Sequence, residues 1–460
     1  CRHERPLPGG RLSDVVDLLI NGRAILSAKE YDVVTAYMQT PSTFSLTTGS
    51  GGSTLDLMRE VPPNSLFALR VNGVVQFVGY TDGYDRIGGG ATELAISGRD
   101  RMAQLLRAHI RNERSFNNAT FEQLAFAAIK GAGIEEAELQ TDAAAQRAAV
   151  SGTPIVAKTV KKTTVTSGPV GEQGSNPEVA IVSTDPLAFG VVQVRTGVTV
   201  VSTEQQQVVD RVTGYKAEKP IKWEAGETYF GALKKDLDRA GIFLRAGVDP
   251  AGLDPNIFYL GAPDATQAPA VWLLNTRDES PPRNGVLVVP QQQRYMMTGR
   301  HSDYVVLGTA GGGKDGRKQV IGLFHDAEVA SAGIVAERVI KDPQAKNTRQ
   351  ANFLSRKACA QARRENRSFV YQIRGRHTVP SIRNPDELVI PVPDMMAWLQ
   401  DDELGISGPM WIERVRHHKS LRGGTFTDLT VIDPTDLVLG ADELTEAVPS
   451  RSTTKRSKRA

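Results

Sequence analysis

The chain runs to 460 residues and 49.8 kDa, more than one ordinary hydrophobic core supports, so roughly two to four domains are expected. Its 40% hydrophobic and 23% charged residues are the composition of a folded soluble protein. Lys+Arg 55 against Asp+Glu 52 leaves a net charge of +3, which argues against a nucleic-acid coat, and no apolar run approaches the roughly 20 residues of a membrane span.

Residues 1–11 are rich in Pro, Gly and Arg and read as a flexible tail with no secretory signal. Residues 12–110 read as a first β-domain. Val15 to Ile20 runs into Asn21-Gly22, and Phe67 to Val71 is separated from Val74 to Val78 only by Asn72-Gly73. Asn-Gly between β-branched or aromatic runs marks a type I′ hairpin, because both central residues need positive φ. A longer hairpin leads out from Phe77 to Tyr84, turns at Gly88-Gly89-Gly90 and returns through Leu94 to Ile96. Strands so closely spaced indicate a sandwich or small barrel.

Residues 111–292 read as a mixed α/β domain. A helix predicted over Arg99–Arg111 leads into it, and a second begins at Thr120-Phe121-Glu122-Gln123, a capping box, and stops at Gly131-Ala132-Gly133. Phe230, Leu233 and Leu237 repeat the design before Gly241 and a strand at Phe243-Leu244. Between these helices, 141–220 is a low-complexity insertion in which Val191 to Arg195 and Val198 to Val201 read as a hairpin. From 293 to 440 the pattern returns to strands, a second β-domain interrupted by a long basic helix that begins near Asp342-Pro343 or Thr348 and ends near Glu365. Its last hairpin, Ile412 to Ser420, Gly423-Gly424 and Phe426 to Val431, echoes the one at Phe77 to Ile96, so the chain is expected to hold two related β-domains. Residues 441–460 form a basic tail, read as solvated.

Each candidate chemistry has a plainer reading. Gly308 to Lys314 fits the spacing of a phosphate loop, but Asp315 stands where a Ser or Thr hydroxyl should meet Mg²⁺, and Gly316 opens no helix. A hairpin loop accounts for every residue there. Seven histidines form no zinc spacing, and His417 and His418, adjacent on a strand, point to opposite faces. Glu227 and Asp326 are isolated acids without a glycosidase motif. Two cysteines make no disulfide framework; Cys359 reads as a buried thiol, and Cys1 as a lipid-modified residue or, more simply, as a start of numbering. No catalytic, cofactor or metal residue is assigned. Arg349, Arg356, Arg363 and Arg364 of the basic helix form either a solvated face or a subunit interface with an acidic neighbour, where Arg pairs in several directions. Base-stacking aromatics are missing nearby, so no specific nucleic acid is expected.

The order of three blocks carries a resemblance. Phe44-Ser45-Leu46, Phe77 to Tyr80 and Ile96-Ser97-Gly98-Arg99-Asp100 come first. Asp303 to Val306 with His325 to Val329 follows, and then Trp411 to Val415 with Gly424 to Val431 and Pro434. In these the chain resembles phage baseplate hub proteins of the Mu type, the late control D tail proteins, and type VI secretion spike hubs, over about Val15 to Ile134 and Trp223 to Leu439. The insertion at 141–220 departs from that pattern. The resemblance implies an α+β, β-rich multidomain fold, with two tube-like β-barrel domains flanking the α/β domain. It further implies a homotrimer forming a pseudo-hexameric ring in the virion's tail baseplate, assembled in the host cytoplasm. That ring joins the tail tube protein to the central spike protein and meets the tape measure protein and other baseplate proteins, with no catalytic role, cofactor or membrane. A tail-associated cell-wall hydrolase, an adhesin, and the hub of a related injection system remain the alternatives.

Overall fold

The computed structural model describes residues 14–437 except 26–27, 39–40, 49–60, 88–92, 117–118, 142–151, 155–158, 167–201, 210–214, 218–220, 249–252, 277–281, 314–315, 344, 346 and 422. Two units divide the chain: residues 1–153 with 215–446, and residues 154–214 with 447–460. In the second unit, Thr159–Thr166 pairs antiparallel with Ser202–Val209. The hairpin expected at Val191 to Val201, both glycine turns at Gly88 to Gly90 and Lys314-Asp315, and both terminal tails lie outside the described residues.

β-Structure dominates, and most of it belongs to one 14-stranded sheet made of two halves. The first half uses Val16–Ile20, Arg23–Ala24, Ala28–Ala36, Thr43–Thr48, Leu66–Val71, Val74–Ile87 and Glu93–Arg99. Numbered along the chain, these strands lie across the sheet in the order 2-1-5-6-7-4-3. Asn72 and Gly73 have φ of 52° and 83°, the positive pair that the tight turn requires, and Asn21 and Gly22 repeat it. Alternate residues point to one face, so Leu18 and Ile20 from one end of the half and Tyr31 and Val33 from the other meet Phe44, Leu46, Phe67, Leu69, Phe77, Leu94 and Ile96 in a single core. Strands from both ends can share one core only if the sheet curls.

The second half uses Val271–Asn275, Gly285–Leu287, Val289–Tyr295, Arg367–Arg374, Met396–Asp401, Ile406–Ser420 and Gly424–Ile432. Numbered the same way, its order is again 2-1-5-6-7-4-3. The likeness of the two long hairpins thus extends to the whole sheet. It also holds at single residues. Asn64 and Asp394 both adopt positive φ (69° and 77°) just before strand 5, and their amides donate to Thr81 O and Ile412 O at 2.7 and 2.9 Å. Each half closes on an aspartate, Asp100 or Asp433, whose carboxylate accepts the amide two residues on and opens a helical turn. The copies differ at strand 1, which runs antiparallel to both strand 5 and strand 2 in the first and parallel to both in the second. Strands Val271–Asn275 and Gly285–Leu287 join the second half, so that sheet begins ahead of the boundary read from the sequence at 293.

Between the halves, the helices Met102–Arg107, Phe121–Gly131 and Tyr229–Ala240 enclose a separate core that includes Leu105, Leu124, Ile129, Trp223, Leu233, Ile242 and Phe258. Thr120 and Gln123 form the expected capping box, and Gly241 ends the last helix in the left-handed region (φ 71°). The first helix is shorter than the predicted Arg99–Arg111. Ala108 turns extended (ψ 127°), and His109 then bridges to Thr228, a tertiary partner that local pattern does not reveal.

An insertion separates strands 3 and 4 of the second half. Asp303–Gly313 pairs antiparallel with Gly316–His325 and parallel with Glu337–Lys341, and the helix Thr348–Asn366 lies on this small sheet. Asn347 caps that helix by accepting the Gln350 amide at 2.8 Å, which resolves the two predicted starts in favour of Thr348. The phosphate-loop mimic is one arm of the hairpin. A Cβ at Gly308 would stand 2.3 Å from Ala345 O, so the glycine is required by backbone packing.

Candidate assembly interface

The two halves meet edge to edge along a seam. Strand 6 of the second half, Ile406–Ser420, first pairs with Met396–Asp401 through Trp411. A bulge at Glu413 then shifts its register, and beyond it Arg414–Lys419 pairs with Ala36–Tyr31, strand 3 of the first half. Tyr37 N donates to the carbonyl of the bulged Glu413 at 2.9 Å. The bulge is what lets one strand edge serve two partners in succession.

Side chains lock this seam on both faces. On one, Arg416 grips Asp32 through Nε and Nη2 at 2.9 and 2.6 Å, a bidentate pairing, and reaches Asp428 at 3.5 Å. His418 Nε2 lies 3.0 Å from the same Asp428. On the buried face, the Thr427 hydroxyl donates to Arg376 O at 3.1 Å, so it accepts from His377 Nδ1 at 2.7 Å. His377 Nε2 is then left to accept from the Tyr31 hydroxyl at 2.7 Å, a tautomer assigned by the network. His417 Nδ1 sits 3.2 Å from His377 Nδ1. Burial pulls His377 down to about 4 and His417 well below the usual imidazole range, so neither carries charge at neutral pH. Asp14, just ahead of the first strand, is tied to the second half, accepting from His377 N, Thr378 N and the Thr378 hydroxyl. Sequence reasoning missed Asp14, Asp32, His377 and Arg416 as interface residues. Nothing local marks them, since their partners lie hundreds of positions away.

The four arginines proposed from sequence divide. Arg363 turns inward to buried Asp326, with Nη2–Oδ1 at 2.7 Å and Nε–Oδ2 at 3.3 Å. Buried Arg300 joins the same carboxylate at 3.0 Å and Glu328 at 2.6 Å. Burial alone would raise Asp326, but the two guanidinium groups override it and hold the carboxyl well below its usual range. Arg364 is half-buried near Glu413; burial lowers the guanidinium and raises the carboxyl. Arg356 is half-buried and Arg349 exposed. The helix's charge is therefore spent largely within the chain at its C-terminal end and left outward at its start.

The remaining candidates fall to structural roles. Asp326 belongs to this ion cluster, and Glu227 accepts from Lys235. Cys359 is buried, with its thiol pushed up to about 12 by burial and by nearby Asp326, so it stays protonated and unreactive. A cleft of about 600 Å³ is lined by Tyr80, Asp82, Arg99, Asp100, Arg101 and Arg107, but Arg99 and Arg107 both pair with Asp82. Asp100 there is raised to about 6 by burial, while its oxygens accept the Ser42 and Met102 amides as a capping group. Among the described residues no cluster of His, Cys, Asp and Glu is arranged to hold a metal, and no helix is long and apolar enough to cross a membrane.

The fold of these two curled half-sheets joined edge to edge is one shared with phage tail proteins. The chain matches the prophage MuSo2 43 kDa tail protein of Shewanella oneidensis at a TM-score of 0.60 and 13% identity, covering 92% of this chain and 99% of that one. It matches a tail protein of Neisseria meningitidis MC58 at 0.59 and 16%, covering 94% and 99%. No protein-family model and no curated protein matches it.

Proposed function

We propose that this chain is the structural hub of a contractile phage-tail baseplate, located in the virion and without catalytic activity. Three chains would form a ring whose six curled sheets match the hexameric tail tube on one side, while its threefold symmetry takes the trimeric central spike on the other. The observation that carries this reading is the seam. It joins strand 3 of one sheet to strand 6 of an equivalent sheet, a head-to-tail contact between unlike edges. Contacts of that kind repeat until they close a ring or run on as a filament. Arg349, exposed at the start of the basic helix, with half-buried Arg356 beside it, is proposed to contact an acidic neighbouring subunit.

Native mass spectrometry of the purified full chain, paired with negative-stain imaging, tests the proposal. Three copies of 49.8 kDa in a ring are the expected result. A monomer at micromolar concentration, or a twofold dimer, overturns it.

A further inference from the structure

The internal repeat specifies more than a number of subunits. If the halves are equivalent, the seam inside the chain has a counterpart whose two sides sit at opposite ends of the molecule. One side is strand 3 of the second half, Val289–Tyr295, which pairs on one edge with Arg367–Gln372. The other is the far part of strand 6 in the first half, Gly83–Ile87, which pairs on one edge with Ser97–Glu93. Among the described residues, neither has a strand on its other edge.

The register follows from counting. Asp82 is the bulged residue of the first half, as Glu413 is of the second, so Gly83 stands where Arg414 stands. Phe44 and Phe369 hold one position on strand 4, opposite Gly98 and Val431. Val33 faces Phe44 and Gln293 faces Phe369, so Met296, three residues on, is the counterpart of Ala36. Arg414 pairs with Ala36 in the seam within the chain. Gly83 is therefore assigned to Met296, Tyr84 to Tyr295, Asp85 to Arg294, and Arg86 to Gln293.

Two observations independent of that count agree with it. The assignment sets Asp85 directly opposite Arg294, a cross-strand charge pair at the position where the seam within the chain has Arg416 opposite Val34 and holds Asp32 diagonally. It also joins three side chains left largely in solvent, Tyr84 (38% exposed), Tyr295 (53%) and Met296 (43%), on segments Gly83–Ile87 and Gln292–Met296 that carry no proline to block pairing, Pro290 lying outside the second. The backbone phase is right as well. Met296 N turns inward to Asn366 O at 2.9 Å, which leaves the Tyr295 amide facing outward to a new strand.

We infer that a second copy of this chain docks its Gln292–Met296 edge antiparallel onto Gly83–Ile87, with Asp85 opposite Arg294 and Tyr84 opposite Tyr295. This rests on the ring proposed above and names its chain-to-chain contact. Arg294 falls at a non-hydrogen-bonded position, where opposed Cα atoms come closest and a disulfide fits. The test is the full chain carrying Asp85→Cys and Arg294→Cys, with Cys1→Ser so that buried Cys359 is the only native thiol left, oxidised and run under denaturing, non-reducing conditions beside its native mass. Covalently closed trimers are expected from this pair, and at most a tenth as much product from the off-register pair Asp85→Cys with Gln292→Cys. A native trimer that cross-links better at the off-register pair, or at neither, overturns this contact and leaves the ring standing. A native mass of one chain for the unmodified protein overturns the ring itself. As a second readout, Asp85→Arg should raise the trimer's dissociation constant at least tenfold, and adding Arg294→Asp to that chain should restore it. An unchanged constant in Asp85→Arg also overturns the contact.

Discussion

At the seam within the chain, two neutral imidazoles share a buried face with a tyrosine and a threonine, and what surrounds them sets their response to acid. His377 meets the Tyr31 hydroxyl, Thr427 and His417, with the Asp14 carboxylate on its backbone amide; His418 and Asp428 occupy the opposite face of the strand. Both buried rings bind protons less readily in the folded chain than in the unfolded one, so the unfolded state takes up protons first as pH falls. For His377 the contribution is complete above about pH 6.5 and is lost as pH drops through about 4, about 3 kcal/mol in all, and His417 acts in the same direction. Urea titrations at pH 7 and 4.5 should show that loss in the unmodified chain. His377→Gln, which takes up no proton, should be less stable at pH 7 and show a shallower fall. An unchanged pH slope in that variant would assign the acid response elsewhere.

At the scale of elements, the legible parts were those whose cause is local. Asn72-Gly73 announces its turn because only certain residues tolerate two successive positive φ angles, and Thr120 with Gln123 announces a helix start because the cap closes within four residues. Met396–Asp401 was not read as a strand, although it is central to the second half. It lacks a flanking Asn-Gly marker, and one of its partners, Val271–Asn275, lies more than a hundred residues earlier. Gly322 shows the same limit from the other direction. In the sequence it is one glycine in an apolar run, but in the fold a Cβ there would lie 2.1 Å from the Ala351 carbonyl carbon of the long helix. Gly322→Ala should therefore lift that helix from its sheet at a cost of about 2 kcal/mol or more. Hydrogen exchange should quicken selectively over Thr348–Asn366, with the strands of the first half unaffected. Equal quickening in both places would mean that the helix and the distant sheet unfold together.

For the whole molecule, the repeat makes the insertion separable in principle. In the first half, strands 3 and 4 are joined by residues 37–42, whereas in the second the same connection runs through 296–366. Its two ends are already neighbours, because Tyr295 and Arg367 are register partners and Met296 N reaches Asn366 O. The insertion also has apolar clusters of its own, around Val306 and Ala351 and around Tyr304 and Cys359, apart from the core built on Tyr371, Leu399 and Ile412. Replacing residues 297–365 by a six-residue loop patterned on 37–42 should thus leave a folded chain. Far-UV circular dichroism should lose the contribution of the Thr348–Asn366 helix and keep that of the strands. The truncation also removes Arg363 and Arg364 from beside Asp436 and Glu413, buried or half-buried acids whose carboxyls burial has already raised, Asp436 to about 6. A fall in stability of about 1–3 kcal/mol is expected from those acids deprived of part of their cationic surroundings, Arg367 and Arg414 remaining near them. Asp436→Asn in the truncated chain should recover part of it, since the neutral amide has no charge to desolvate. If the truncated chain fails to fold even with that substitution, the sheet and its insertion form one cooperative core, and the second copy of the repeat cannot stand as the first does.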